Sequence, residues 1–205
     1  MRVTCLLLFC CLFHSSFCQD TAFLKVHFLY GSKPRKAFKE SEEKWFGGML
    51  GGHVGIEGDS GKILSFLPFG KFHWFEHKHN RHSMYALHSQ RDFYSILGGN
   101  GDSVKKAVVY IPVTTQQKKT FDSLLVAYTK ETPYDYALVG MRCGAATYDI
   151  LARLGIMKRY NRIKTYQKII YPRKLRKRLF NKAANNGWAV VLTEGSVNRK
   201  WERDL

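Results

Sequence analysis

The chain has 205 residues, 45% of them hydrophobic, enough apolar content to bury the core of one domain and with no sign of a second. Thirty-three Lys and Arg stand against 16 Asp and Glu, a formal charge of +17. Such an excess is drawn to anionic lipid headgroups, cell-wall polymers or acidic glycans; no aromatic platform or known module accompanies it, which argues against nucleic acid as the partner.

Residues 1–18, MRVTCLLLFCCLFHSSFC, carry one Arg, an apolar run and then small residues at Ser16 and Cys18. That is the layout of an export signal, with cleavage expected after Cys18. A lipid anchor on Cys18 is the alternative, to which bulky Phe17 is a poor fit. The run is too short to span a bilayer, and no later stretch approaches the roughly 20 apolar residues required. The mature chain, residues 19–205, is expected to be a secreted or periplasmic monomer carrying +16. Cleavage removes four of the five cysteines and leaves Cys143 alone, unable to form an internal disulfide.

Residues 22–30 (AFLKVHFLY) read as a strand, and GSKPRK as a turn or loop. Residues 36–46 suit a short helix or a loop. Residues 52–57 and 62–67 read as two strands joined by GDSG, a hairpin turn, with 72–76 a third strand of the same meander. Gly98, Gly99 and Gly101 mark a loop. Residues 107–113 (AVVYIPV) are the clearest buried strand. Thr114 or Thr115 caps a helix to about Lys130, with Phe121, Leu124, Leu125 and Tyr128 on one face. A loop with two tyrosines around Asp135 precedes a helix from about Met141 to Leu154, ended by Gly155. Pro172 opens a basic helix to about Ala184, and WAVVL is a closing strand. The sum is an α+β fold.

Cys143 falls in the first turn of the 141–154 helix, where free backbone N–H groups and the helix dipole favour a thiolate. Gly144 beside it would admit a substrate carbonyl, and the Cys143 N–H could serve an oxyanion hole. His53, on its strand, could take the thiol proton and return it to a leaving group. The alternative is a buried cysteine acting as a small hydrophobe.

The segments HVGIEGDSGKILSFLP and RCGAATYDILARLG, in that order, resemble the circularly permuted branch of the NlpC-type papain-like superfamily. That branch holds the lecithin:retinol acyltransferase-like proteins and bacterial permuted papain-like amidases. The resemblance covers about 51–155. It implies an antiparallel sheet packed against the nucleophile-bearing helix, Cys143 as nucleophile, His53 as base, and no cofactor. It implies amide or ester substrates: peptides, peptidoglycan stem peptides or acyl lipids. The family's third polar residue, a His or Glu, falls here on Ser65, whose hydroxyl cannot balance an imidazolium as a carboxylate does. Glu57, on the same strand face as His53, and His73 are the alternatives. Arg142 replaces a common asparagine. A degenerate protein that only binds an anionic surface is the competing reading.

His73, His77, His79, His82 and His88 crowd one stretch with Glu76, but their spacing matches no known closed metal site. A solvated basic loop is the plainer reading. RKLRKR, residues 173–178, would form a basic stripe with Leu175, Leu179 and Phe180 inward, an ordinary wet face or a docking surface for an anionic envelope. Tyr134, Asp135 and Tyr136 either line a substrate cleft or pack their own loop.

Overall fold

A computed structural model describes residues 22–44, 52–79 and 81–204. The expected cleavage site and the end of the 36–46 segment lie outside the described residues.

Alternating apolar residues build the main sheet. Strands β1 (Ala22–Leu29), β3 (His53–Glu57) and β4 (Ile63–Pro68) are followed by β6 (Ser83–His88), β7 (Lys106–Val113) and β9 (Val190–Thr193). Their order across the sheet is β6-β4-β3-β1-β7-β9, every neighbouring pair antiparallel. The β3–β4 hairpin forms as the sequence implies, Gly55 opposite Ser65 and Glu57 opposite Ile63. Its turn contains Gly61 at φ +67, a left-handed conformation that glycine adopts without a Cβ penalty.

Two expectations fail at the sheet's margin. The strand at 72–76 forms as β5 (His73–Phe75) but does not join the meander. It pairs in parallel with β8 (Ala137–Val139), and β6, within the histidine-rich stretch, takes the place beside β4. GSKPRK is not only a turn: β2 (Ser32–Pro34) pairs antiparallel with β10 (Arg199–Trp201).

Five α-helices lie among the described residues. Helices α2 (Thr115–Lys130), α3 (Cys143–Arg153) and α5 (Pro172–Asn186) share one face of the sheet; α1 (Gln90–Ser95) covers the other, and α4 (Arg162–Lys168) precedes α5. Thr114 caps α2 by a reciprocal pair: its Oγ1 accepts from Gln117 N–H at 3.2 Å, and Gln117 Oε1 accepts from Thr114 N–H at 2.9 Å. Such a cap is worth about 1 kcal/mol. Gln117 also donates to Leu154 O, tying the start of α2 to the end of α3. Gly155, at φ +72, ends α3 in the left-handed conformation its position implies.

Period-two alternation splits the interior. Val26, Phe28, Val54, Ile56, Leu64 and Phe66 point to α2, α3 and α5 and meet Phe121, Ile150, Leu151, Leu175 and Leu179 in the larger core. Leu29 and Ile63 point the other way, to Phe93, Tyr94, Leu97 and Val104. The larger core carries most of the stability, since each large apolar side chain fully buried contributes about 1.5–3 kcal/mol.

The basic stripe is broken by Arg176, which is 1% exposed. Its Nη1 donates to Glu202 Oε1 at 2.9 Å and its Nε to Asp204 Oδ1 at 2.7 Å, while the guanidinium lies 3.7 Å from the centroid of the Tyr30 ring. Around it, Glu202 N–H donates to Gly31 O and Tyr30 Oη donates to Asp204. The segment after β10 is thereby fastened to the end of β1.

Candidate active site

Helix α3 begins at Cys143, after Arg142 in extended conformation with no side-chain cap. The first-turn N–H groups are left for other partners. Cys143 is 3% exposed, and its sulfur receives the backbone N–H groups of Gly144 and of Val54, the residue that follows His53 on β3. The Tyr136 hydroxyl points at Sγ from 4.0 Å, and the Arg142 guanidinium, 5.3 Å over the Tyr171 ring, adds positive charge nearby.

These groups do not win. Burial is the largest influence and pushes the Cys143 thiol above its ordinary value; Arg142, Tyr136 and the two amides oppose it without reversing it. The lowered pKa implied by the helix N-terminus is corrected, because stripping water from a thiolate outweighs the donors arranged around it. Iodoacetamide labelling followed by intact mass should therefore be slow at pH 7 and accelerate only above the free-thiol pKa of about 8.5. Rapid labelling at neutral pH would contradict this burial.

Gly144 is explained by packing. A Cβ there would sit 3.1–3.2 Å from backbone atoms of Tyr171 and Pro172, so the start of α5 occupies the side on which the sequence suggested room for a carbonyl.

His53 is buried and leaves β3 on the opposite side from Val54, its ring centroid 5.5 Å from that of Phe93. Burial, with the nearby His88 second, pushes its pKa down to about 3. No hydrogen bond joins His53 to Cys143, Ser65 or Glu57 among the described residues. The structure brings the thiol to the histidine strand but sets the imidazole toward the other core.

Ser65 does share His53's face, standing opposite Gly55 on the neighbouring strand. Its Oγ, His53 Nε2 and His88 Nε2 are all buried without a hydrogen-bond partner. Glu57 also shares that face, as the alternation implied, but it is committed elsewhere. It takes the ammonium of Lys25 and the amide of Gln90 at 3.1 Å, and lies 3.0 Å from His27 Nε2 in a poorly aligned contact. Burial works against its ionisation, yet Lys25 and then His27 hold it below the usual carboxylate range. His27 in turn meets Tyr94 Oη at 2.7 Å through Nδ1. Sequence reasoning passed over this network; the signal was Lys25 and His27 two apart in an otherwise apolar strand, polar on one face.

His73, the other alternative, lies in β5 and bonds Asp135. Asp135 also accepts the backbone N–H groups of His77 at 2.9 Å and His82 at 2.8 Å. The His77 and His82 rings lie 4.2 and 4.8 Å from that of His73. Among the described residues no group of three or more His, Cys, Asp or Glu side chains is arranged to hold a metal ion. Tyr134, Asp135 and Tyr136 are buried, and the Tyr134 hydroxyl donates to Asp149, so this loop packs inward.

Compared with protein-family models, with curated proteins and with solved structures, the chain matches none. Its own elements define a mixed α+β protein with a mainly antiparallel sheet and a buried cysteine at the head of a helix. No helix among the described residues is long and apolar enough to cross a membrane.

Proposed function

We propose that the chain is an exported thiol hydrolase on a permuted papain-like scaffold, acting on amide or ester bonds of cell-wall peptides or acyl lipids. The observation that supports this reading is the setting of the Cys143 sulfur: at the first residue of α3, ringed by the N–H groups of Gly144 and Val54, the Tyr136 hydroxyl and Arg142. A cysteine serving only as a small hydrophobe needs no such donors. On this reading the structure is a resting state, with thiol and imidazole both neutral, and the reaction requires β3 to turn locally so that His53, which here packs on Phe93 across the strand from the thiol, reaches the sulfur. His53 takes the thiol proton, the sulfur adds to the carbonyl carbon, and the bond to the leaving amine or alcohol breaks as the imidazolium protonates it. Water, deprotonated by the same imidazole, then hydrolyses the thioester.

A second reading is favoured by the missing bond between His53 and Cys143 and by the raised thiol pKa: a non-catalytic binder of an anionic surface. Incubation with muropeptides, acyl amides and phospholipids, quenched in acid and weighed intact, separates the two. The hydrolase adds an acyl mass to Cys143. Cys143→Ala loses turnover by about 10⁴-fold or more, and His53→Asn by about 10²–10⁴-fold. Absence of any thioester, together with no turnover that depends on Cys143, leaves only the binder.

A further inference from the structure

The connection out of β4 places four large aromatic side chains in water within seven residues. Phe69 is 67% exposed, Phe72 46%, Trp74 70% and Phe75 67%. Nothing in their own packing demands this, because the structural work of the segment falls to its polar groups. His73 and the backbone N–H groups of His77 and His82 hold Asp135, and Glu76 accepts from Met141 N–H at 2.9 Å. Phe69, Trp74 and Phe75 stand outward from that frame, Phe75 beside exposed Val139 of the parallel partner strand, while Phe72 rests one side on the Tyr136 ring at 5.9 Å.

The rim of this apron is cationic. Lys71 interrupts it, and Lys78 and Arg81 follow it. Glu76, the one acid between Phe69 and His82, is neutralised by Arg162 at 3.2 Å. That ion pair joins the apron to α4, where Ile163 is 57% exposed between Arg162 and Lys164. A cleft of about 650 Å³ opens beside it, lined by Arg153, Arg159, Arg162, Asp149, Tyr134 and Tyr160; Arg153 is paired with Asp149 at 2.7 Å and Arg162 with Glu76, so exposed Arg159 is the cation this cleft offers to an anion. Exposed Trp and Phe flanked by Lys and Arg are suited to the boundary between acyl chains and headgroups, where the rings enter the apolar layer and the cations meet phosphates.

We infer that this surface, from Phe69 to Phe75 with the head of α4, docks the protein on an anionic lipid bilayer, with the aromatics inserted and Lys71, Lys78, Arg159 and Lys164 at phosphate level. It is a different surface from the α5 stripe and does not depend on Cys143 being a nucleophile. The occupant is lipid rather than a second copy of the chain because the surface is positive and so is the rest of the molecule, and two such copies would repel.

The test is co-sedimentation of the full chain with vesicles of phosphatidylcholine alone or mixed with phosphatidylglycerol, repeated without residues 1–18 so that binding by that apolar segment is subtracted. Expected is binding to the anionic vesicles and little to the neutral ones. It weakens about tenfold or more in the triple variant Phe69→Ser, Trp74→Ser, Phe75→Ser, and about fivefold for each of Arg159→Gln and Lys164→Gln. The triple variant should melt as the parent does, since its residues are exposed. Should it misfold, Trp74→Phe serves instead: docking persists, while quenching of tryptophan emission by brominated lipid falls. No binding to anionic vesicles, equal binding to both kinds, or undiminished binding by the folded triple variant would overturn the inference. So would a dimer in sedimentation velocity that the triple variant abolishes.

Discussion

Between pH 7 and pH 4 the protein should lose roughly 10 °C of melting temperature, and His53→Leu should abolish a substantial part of that loss. The buried imidazole resists protonation until pH is about 3, burial being the main cause and His88 the second. In the unfolded chain it protonates near 6.5. Across that window the unfolded state binds more protons, so stability is complete above about 6.5 and falls as pH drops toward 3. At pH 4 the deficit from this one group is about 3 kcal/mol, which for a chain of this size corresponds to roughly 6–12 °C. His27, pushed down to about 4 chiefly by burial, adds in the same direction. Thermal melts at half-unit pH steps on parent and His53→Leu measure the effect. Parallel curves would show that His53 is not the buried neutral group described above.

Arg176→Ala should cost about 3–5 kcal/mol, because it strands Glu202, whose side chain is 1% exposed, without its guanidinium. In melting temperature this is on the order of 10 °C. The paired replacement Arg176→Met with Glu202→Leu should cost less than Arg176→Ala alone, since neither change then leaves an unpaired charge in the interior. Urea titrations of the three proteins supply the comparison. A single-variant loss below about 1 kcal/mol, the size of a surface ion pair, would mean that water reaches this site.

That arginine shows where sequence reading ran out. RKLRKR has helical spacing and dense charge, and a solvated stripe is what the pattern implies. Only the arrival of Glu202 and Asp204 from β10 and beyond turns one of its members inward. Local signals fared better. The GDSG turn between apolar alternations marked the β3–β4 hairpin, Thr114, one of two offered caps, marked the start of α2, and Gly155 marked the end of α3. Each of these is a contact between near neighbours in sequence. The parallel pairing of β5 with β8 joins residues more than sixty positions apart and leaves no periodic trace. The same holds for the bond of His73 to Asp135, which claims as structural a histidine that the sequence offered as a partner for His53.

At the candidate site the elements were legible and the side-chain directions only partly so. Cys143 heads its helix as implied, and Glu57 and Ser65 share His53's face as alternation requires. Alternation also sends His53 away from Val54, whose N–H meets the sulfur, and this consequence needed the position of α3 to become visible. The thiol's pKa could not be read from the helix terminus alone, since burial by Val54, Tyr136 and the start of α5 is a property of the assembled core.

The fastening of β1 by residues well past α5 sets an order of events during synthesis. Strands β1, β3 and β4 leave the ribosome early, yet Arg176 has no counter-charge until Glu202 has been made, and Gly31 lacks its carboxylate acceptor until then. Translation adds about 5–20 residues per second. Strands β1, β3 and β4 are therefore made seconds before the latch that closes on them, and the fastening can form only after Glu202 has been added.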